Sequence, residues 1–118
     1  MRHRKDTFKL GRDSSHRRCL IANLLKSLVV NERIETTVAK AKELRRHAER
    51  LITIAKKQTV AARRQAIAKM MIQYNSLSAK EQRAAKEGRT FAYNDDRKAI
   101  NKLLDELAAR YSTRNGGY

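Results

Sequence analysis

Apolar residues recur at the 3.6-residue period of a helix in four stretches of the chain, and alternate at the two-residue period of a strand in one. The first helical stretch places Leu20, Ile21, Leu24, Leu25, Leu28 and Val29 on one arc. A hydroxyl at Ser14 or Ser15 caps it, and Asn31, which tolerates the left-handed conformation of a helix stop, ends it. The alternating, β-branched run Arg33-Ile34-Glu35-Thr36-Thr37 predicts a short strand. Thr37 then caps a second helix whose stripe is Val38, Ala41, Leu44, Ala48, Leu51, Ile52 and Ala55, with Lys42, Arg46, Arg50 and Lys57 on the other side. A third helix over 59–74 buries Val60, Ile67, Met70, Met71 and Tyr74, and Arg63 in the same arc must carry its head past the core edge.

The remaining signals are local. Ser78 and Glu81 have the spacing of a capping box, and Gly88 stops the short, nearly all polar helix between. A last helix starts at Asn94, with Asp95 and Asp96 in its first turn, and shows Ile100, Leu103, Leu104, Leu107 and Tyr111 on one face. Residues 1–13 have no apolar period and read as an arm. With little to bury, that arm is expected to be disordered alone and ordered on its partner. No repeat, Pro-rich linker or sustained heptad is present. The expected division is therefore a basic arm, 1–13, and a single helix-rich domain, 14–118.

Charge decides the class of partner. Among 118 residues, 28 Lys and Arg face 12 Asp and Glu, a formal net charge of +16. Ordinary small domains carry a net charge of magnitude about 2–8, so this excess calls for a polyanion whose counterions are released on binding. The single cysteine, Cys19, allows no intrachain disulfide, and no apolar run has the length of a membrane span. No membrane partner is expected.

Enzyme chemistry finds no footing. His3, His16 and His47 lack metal-site spacing, one Cys makes no zinc knuckle, and Gly is too scarce for a phosphate-cradling loop. Asp95-Asp96 and Asp105-Glu106 sit on helices among basic neighbours, where helix-end and ion-pair roles fit better than acid-base catalysis. No catalytic residue, metal, cofactor or small-molecule substrate is expected.

Nucleic-acid chemistry is better served. Arg2, His3, Arg4, Lys5, Lys9, Arg12, Ser14, Ser15, His16, Arg17 and Arg18 put cations among hydrogen-bond donors, on a segment able to follow folded RNA. Arg17 and Arg18 adjoin a predicted helix N-terminus, whose free N–H groups favour an anion. The Ser14 and Ser15 hydroxyls serve that phosphate or cap the helix. A DNA-binding architectural or helix-turn-helix protein is the alternative, although a strand between the first two long helices does not suit a helix-turn-helix.

Four blocks, in order, resemble bacterial large-subunit ribosomal protein seventeen, the bL17 family: Met1-Arg2-His3, Ser14-Ser15-His16-Arg17, Arg33 to Thr37 followed by Lys40-Ala41-Lys42-Glu43-Leu44-Arg45, and Gly116-Gly117-Tyr118. The resemblance implies a structural, non-enzymatic constituent of the large subunit, in the ribosome of the cytoplasm. It would bind 23S-type rRNA near the outer opening of the peptide exit tunnel and touch neighbouring ribosomal proteins. It adds Thr36, Thr37, Lys40, Lys42, Arg45, Arg46 and Arg114 to the RNA-binding residues. The implied fold is α+β, a helix-strand-helices arrangement packed on a small mixed sheet. Three departures are visible. Ala39 stands where many relatives have Pro, and residues 72–94 form an insertion atypical of the family, whose role is not implied. The family continues past the position of Tyr118 into closing strands, so the 118 residues are expected to be a fragment and predominantly helical.

Overall fold

In a computed structural model, residue 3 and residues 8–118 are described. Helix α1 (Ser14–Asn31) buries Ile21, Ala22, Leu25 and Val29. Its cap is Asp13, one position before the expected serines, and the Asp13 carboxylate accepts the His16 N–H at 3.0 Å. A full negative charge at the positive helix end displaces the hydroxyls from that role. The helix ends at Asn31 as expected, but the residue in the left-handed region is Glu32, with φ of 59°.

Residues 33–37 are neither helix nor strand, with Thr37 extended at the head of the next helix, and no strand occurs among the described residues. The predicted strand is therefore a connector here, since no strand among the described residues takes its backbone groups. Ile34 alone packs against the core, while Arg33 and Glu35 pair with each other at 3.5 Å on the surface.

Helix α2 (Val38–Ala55) buries Leu44, Leu51 and Ala55, with Ala48 and Ile52 partly covered. Thr37 occupies the cap position but its hydroxyl makes no capping bond. The predicted stripe fails at its start, because Val38 and Ala41 are exposed. Helix α3 (Val60–Met70) is capped by the Thr59 hydroxyl, which accepts the Ala62 N–H at 3.1 Å. It stops earlier than predicted, at a left-handed Met71 with φ of 50°. Its buried row is Ala62, Ala66 and Met70, four residues apart, whereas Val60, Met71 and Tyr74 are exposed. Small alanines let α3 lie close to α1 and α2, and that close approach displaces the larger residues to the rim.

Helix α4 (Ala79–Lys86) has the predicted capping box and buries none of its residues. Beyond it, Gly88 takes φ of 84°, and the N–H groups of Gly88 and Arg89 return to the carbonyls of Ala85 and Ala84 at 3.0 and 2.9 Å. That pair of bonds is the Schellman stop, which needs a residue without Cβ strain.

Helix α5 (Asp95–Lys102) is capped by Asn94 and runs on through a π-helical turn, Leu103–Leu107, into a last helical turn, Ala108–Arg110. The buried residues form two rows of fourfold spacing, Ala99, Leu103, Leu107 and Ile100, Leu104, Ala108. An α-helix rotates such rows by about 40° every four residues. The wider π turn offsets that drift and keeps both rows on the core. Gln58 completes the arrangement by donating to the Leu104 carbonyl at 2.7 Å. The core thus lies between α1, α2, α3 and the α5 rod, and no described helix is long and apolar enough to cross a membrane.

Candidate nucleic-acid interface

The segment leading into α1 is laid along the domain. Leu10 packs against the core, contrary to the expectation that residues 1–13 have nothing to bury. The Arg12 guanidinium donates to the Leu10 carbonyl at 2.7 Å, a contact that holds its own turn. Phe8 is fixed from below, its N–H donating to a Glu43 carboxylate oxygen at 3.5 Å. Arg2, Arg4 and Lys5 lie outside the described residues, while His3 and Lys9 are exposed.

Glu43 is the one buried charged residue among those described, at 7% exposure. Arg46 donates to it at 3.0 Å and His47 lies 3.5 Å away, one turn along α2. Burial pushes the carboxyl up, but the hydrogen bonds from Arg46, Phe8 and His47 outweigh it and hold the group below the ordinary carboxylate value. An ionised Glu43 thereby ties the basic N-terminal segment to α2 and orients Arg46 and His47 beside it.

A groove of about 350 Å³ opens beside this anchor, walled by Ser14, Arg17 and Arg18 of α1, Glu43 and His47 of α2, and Lys69 of α3. Three of these were expected at the interface. His47 and Lys69 join them from other helices, and only the packing of α1 on α2 and α3 reveals it. Arg17 is half-buried and Arg18 exposed. Ser14, Ser15 and His16 are exposed in the first turn, yet Asp13 already takes the His16 N–H, so the N-terminus of α1 is not an open anion cradle.

The other expected residues fall into two groups. Lys40, Lys42, Arg45 and Arg46 follow α2, with Arg45 bonded to Glu49 at 3.4 Å. Thr36 and Arg45 also line a second groove of about 590 Å³, whose walls are mostly apolar and include Leu28, Ile34, Ala41 and Ile52. Thr37 is exposed at the head of α2. Arg114 stands apart at the far end of the α5 rod, over the Tyr111 ring at 5.8 Å. There Tyr118 folds back to accept from Lys56 at 3.0 Å and meets Tyr111 edge-on at 5.5 Å between ring centres. No group of three or more potential metal ligands occurs among the described residues.

Comparison with known proteins settles the lineage. Residues 20–118 match the model of the ribosomal protein L17 family. The chain belongs to that family. It is a ribosomal structural protein, and the family is not one of enzymes. Over all 118 residues it is 66% identical to the large ribosomal subunit protein bL17 of Protochlamydia amoebophila, covering the whole chain and 83% of the relative. The bL17 proteins of Chlamydia abortus and Chlamydia trachomatis serovar L2 are 60% and 59% identical over the whole chain, with 83% and 84% of the relatives covered. The family resemblance of the four blocks is thus confirmed, and the DNA-binding alternative is not favoured.

Proposed function

We propose that this ribosomal protein binds and stabilises rRNA of the large subunit through the cationic groove between α1, α2 and α3, together with the basic segment that precedes α1. The observation that carries the reading is the convergence of Arg17, Arg18, His47 and Lys69 from three helices on one groove. Glu43, the one carboxylate of the groove wall, is already engaged by Arg46 and His47, and among the described residues Arg17, Arg18 and Lys69 make no ion pair, so RNA phosphates would neutralise them. Arg2, His3, Arg4, Lys5, Lys9, Arg12 and the residues of α2 extend the contact along the RNA. Arg114 would mark a second point of attachment. The place near the peptide exit tunnel, and contacts with neighbouring ribosomal proteins, follow by resemblance.

We also propose that residues 33–37 take part in an α+β arrangement. The start of α2 leaves Val38 and Ala41 bare beside the connector, next to a groove of about 590 Å³ lined by Ile34 and Thr36. A small mixed sheet built on residues 33–37 would cover that surface. It is the arrangement that the closing strands of the family supply.

Filter binding to large-subunit rRNA at several salt concentrations tests the main reading. Each neutralised phosphate contributes about 0.7–0.9 to the logarithmic slope, so R17E combined with R18E should lower the slope by about 1.4–1.8. A slope near zero for the unaltered protein, or equal affinity for duplex DNA at the same salt, would overturn it.

A further inference from the structure

Residues 72–94 form a protruding finger with a braced base. Asn94 donates to the Gln73 carbonyl at 2.9 Å and Asn75 to the Ala92 carbonyl at 2.8 Å, which draws the two ends together. Arg97 donates to the Asn75 carbonyl at 2.7 Å and to its side chain at 3.0 Å. The same guanidinium stacks between Tyr74 and Tyr93, 4.9 and 5.1 Å from the ring centres. The Gln73 N–H donates to Asp96 at 2.7 Å, and Asp96 is held by Lys26 of α1 at 3.1 Å. The finger is therefore fixed to the domain.

Its tip does not serve the fold. Helix α4 is closed at both ends by its own capping box and Gly88 stop, and it buries no residue. Its half-buried positions are Glu81, Ala84 and Ala85, so the opposite side carries Lys80, Arg83 and Lys86, three residues apart. None of these three cations makes an ion pair among the described residues. Phe91 follows, 76% exposed, just beyond an Arg89 that pairs with Glu87. Phe91 contributes nothing to the core and leaves an aromatic face open to solvent on the same finger as the three unpaired cations.

We infer that this finger is a second RNA contact, in which Lys80, Arg83 and Lys86 neutralise phosphates and Phe91 stacks on an unpaired base. Single-stranded RNA recognition combines these two elements, a cationic track and an aromatic face. A protein partner would call for a wider apolar patch and fewer lysines at its centre. The inference rests on the rRNA-binding reading above and adds a site to it.

Filter binding to large-subunit rRNA separates the two. K80A/R83A/K86A should lower the salt slope by about 2–3 while the unaltered protein keeps its own slope. F91A should weaken binding at least roughly fivefold, the lower end of what a stacked base is worth, and F91W should restore it. An unchanged slope and affinity in both variants would overturn the finger contact and leave the groove reading intact. Loss of salt-dependent binding by the unaltered protein would sink both. In assembled large subunits, a benzoylphenylalanine photocrosslinker at position 91 should crosslink to rRNA. Crosslinks to protein alone would assign the finger to a protein neighbour and reject the proposal.

Discussion

Glu32 and Arg110 are joined by two parallel hydrogen bonds of 2.9 and 3.2 Å, which tie the end of α1 to the end of the α5 rod. Lys102 closes the cluster from about two turns earlier on the rod, 3.0 Å from Glu32 and 2.9 Å from the Val30 carbonyl. A left-handed backbone at a residue with a Cβ is unfavourable, and these bonds hold Glu32 there at φ of 59°. The pair therefore sets where the first helix stops and where the connector of 33–37 begins.

The first prediction concerns this cluster and acid. Hydrogen bonds from Arg110 and then Lys102 lower the Glu32 pKa from 4.5 to about 2. A depressed carboxyl stabilises the fold fully above its unfolded pKa and loses that contribution as pH falls through its folded one. The melting temperature of Glu32→Gln should lie below that of the unaltered protein at pH 6, and the gap should close between about pH 4.5 and pH 2. A gap constant over that range would show that the ion pair does not couple to stability. The gap at pH 6 should also shrink with added salt, as the cluster is partly exposed.

Features set by neighbouring residues were legible in the sequence. The stripe of Leu44 and Leu51, the Ser78–Glu81 box and the Asn94 cap each need only a few adjacent positions to form, and each is present. What was hidden depends on distant parts of the chain. Ala62, Ala66 and Ala99 are buried because helices approach closely there, and an alanine carries no signal of that approach. Glu43 reads as a surface acid on α2 until Phe8 and His47 are brought to it. His47 and Lys69 join the groove of Arg17 and Arg18 for the same reason. The β-branched run of 33–37 favours an extended backbone, but a strand also needs a neighbour, which local pattern does not supply, and no strand forms among the described residues.

The second prediction tests the close approach of α3. Ala66 is fully buried, whereas Ala68 on the same helix is exposed. Ala66→Leu should lose about 1–3 kcal/mol in urea unfolding, the usual cost of overpacking a filled core. Ala68→Leu should stay within about 0.5 kcal/mol, as surface changes do. Equal effects at the two positions would mean that α3 is not packed through its alanines.

The third prediction concerns the connector. Among the described residues, the backbone N–H groups of Ile34 and Thr36 donate to no carbonyl, although Ile34 rests against the core. Exposed, unpaired amides exchange rapidly, while those of α1 at Leu25 and α5 at Ile100 sit in buried helical ladders and open only with the fold. Hydrogen exchange in the 118-residue chain should therefore be fast at Ile34 and Thr36 and slow at Leu25 and Ile100. Under the α+β reading proposed above, extending the chain with the strands that reading supplies should slow Ile34 and Thr36, because a strand beside them would take their N–H groups into a ladder. Protection at these two amides that is the same in both forms would reject a sheet built on this connector.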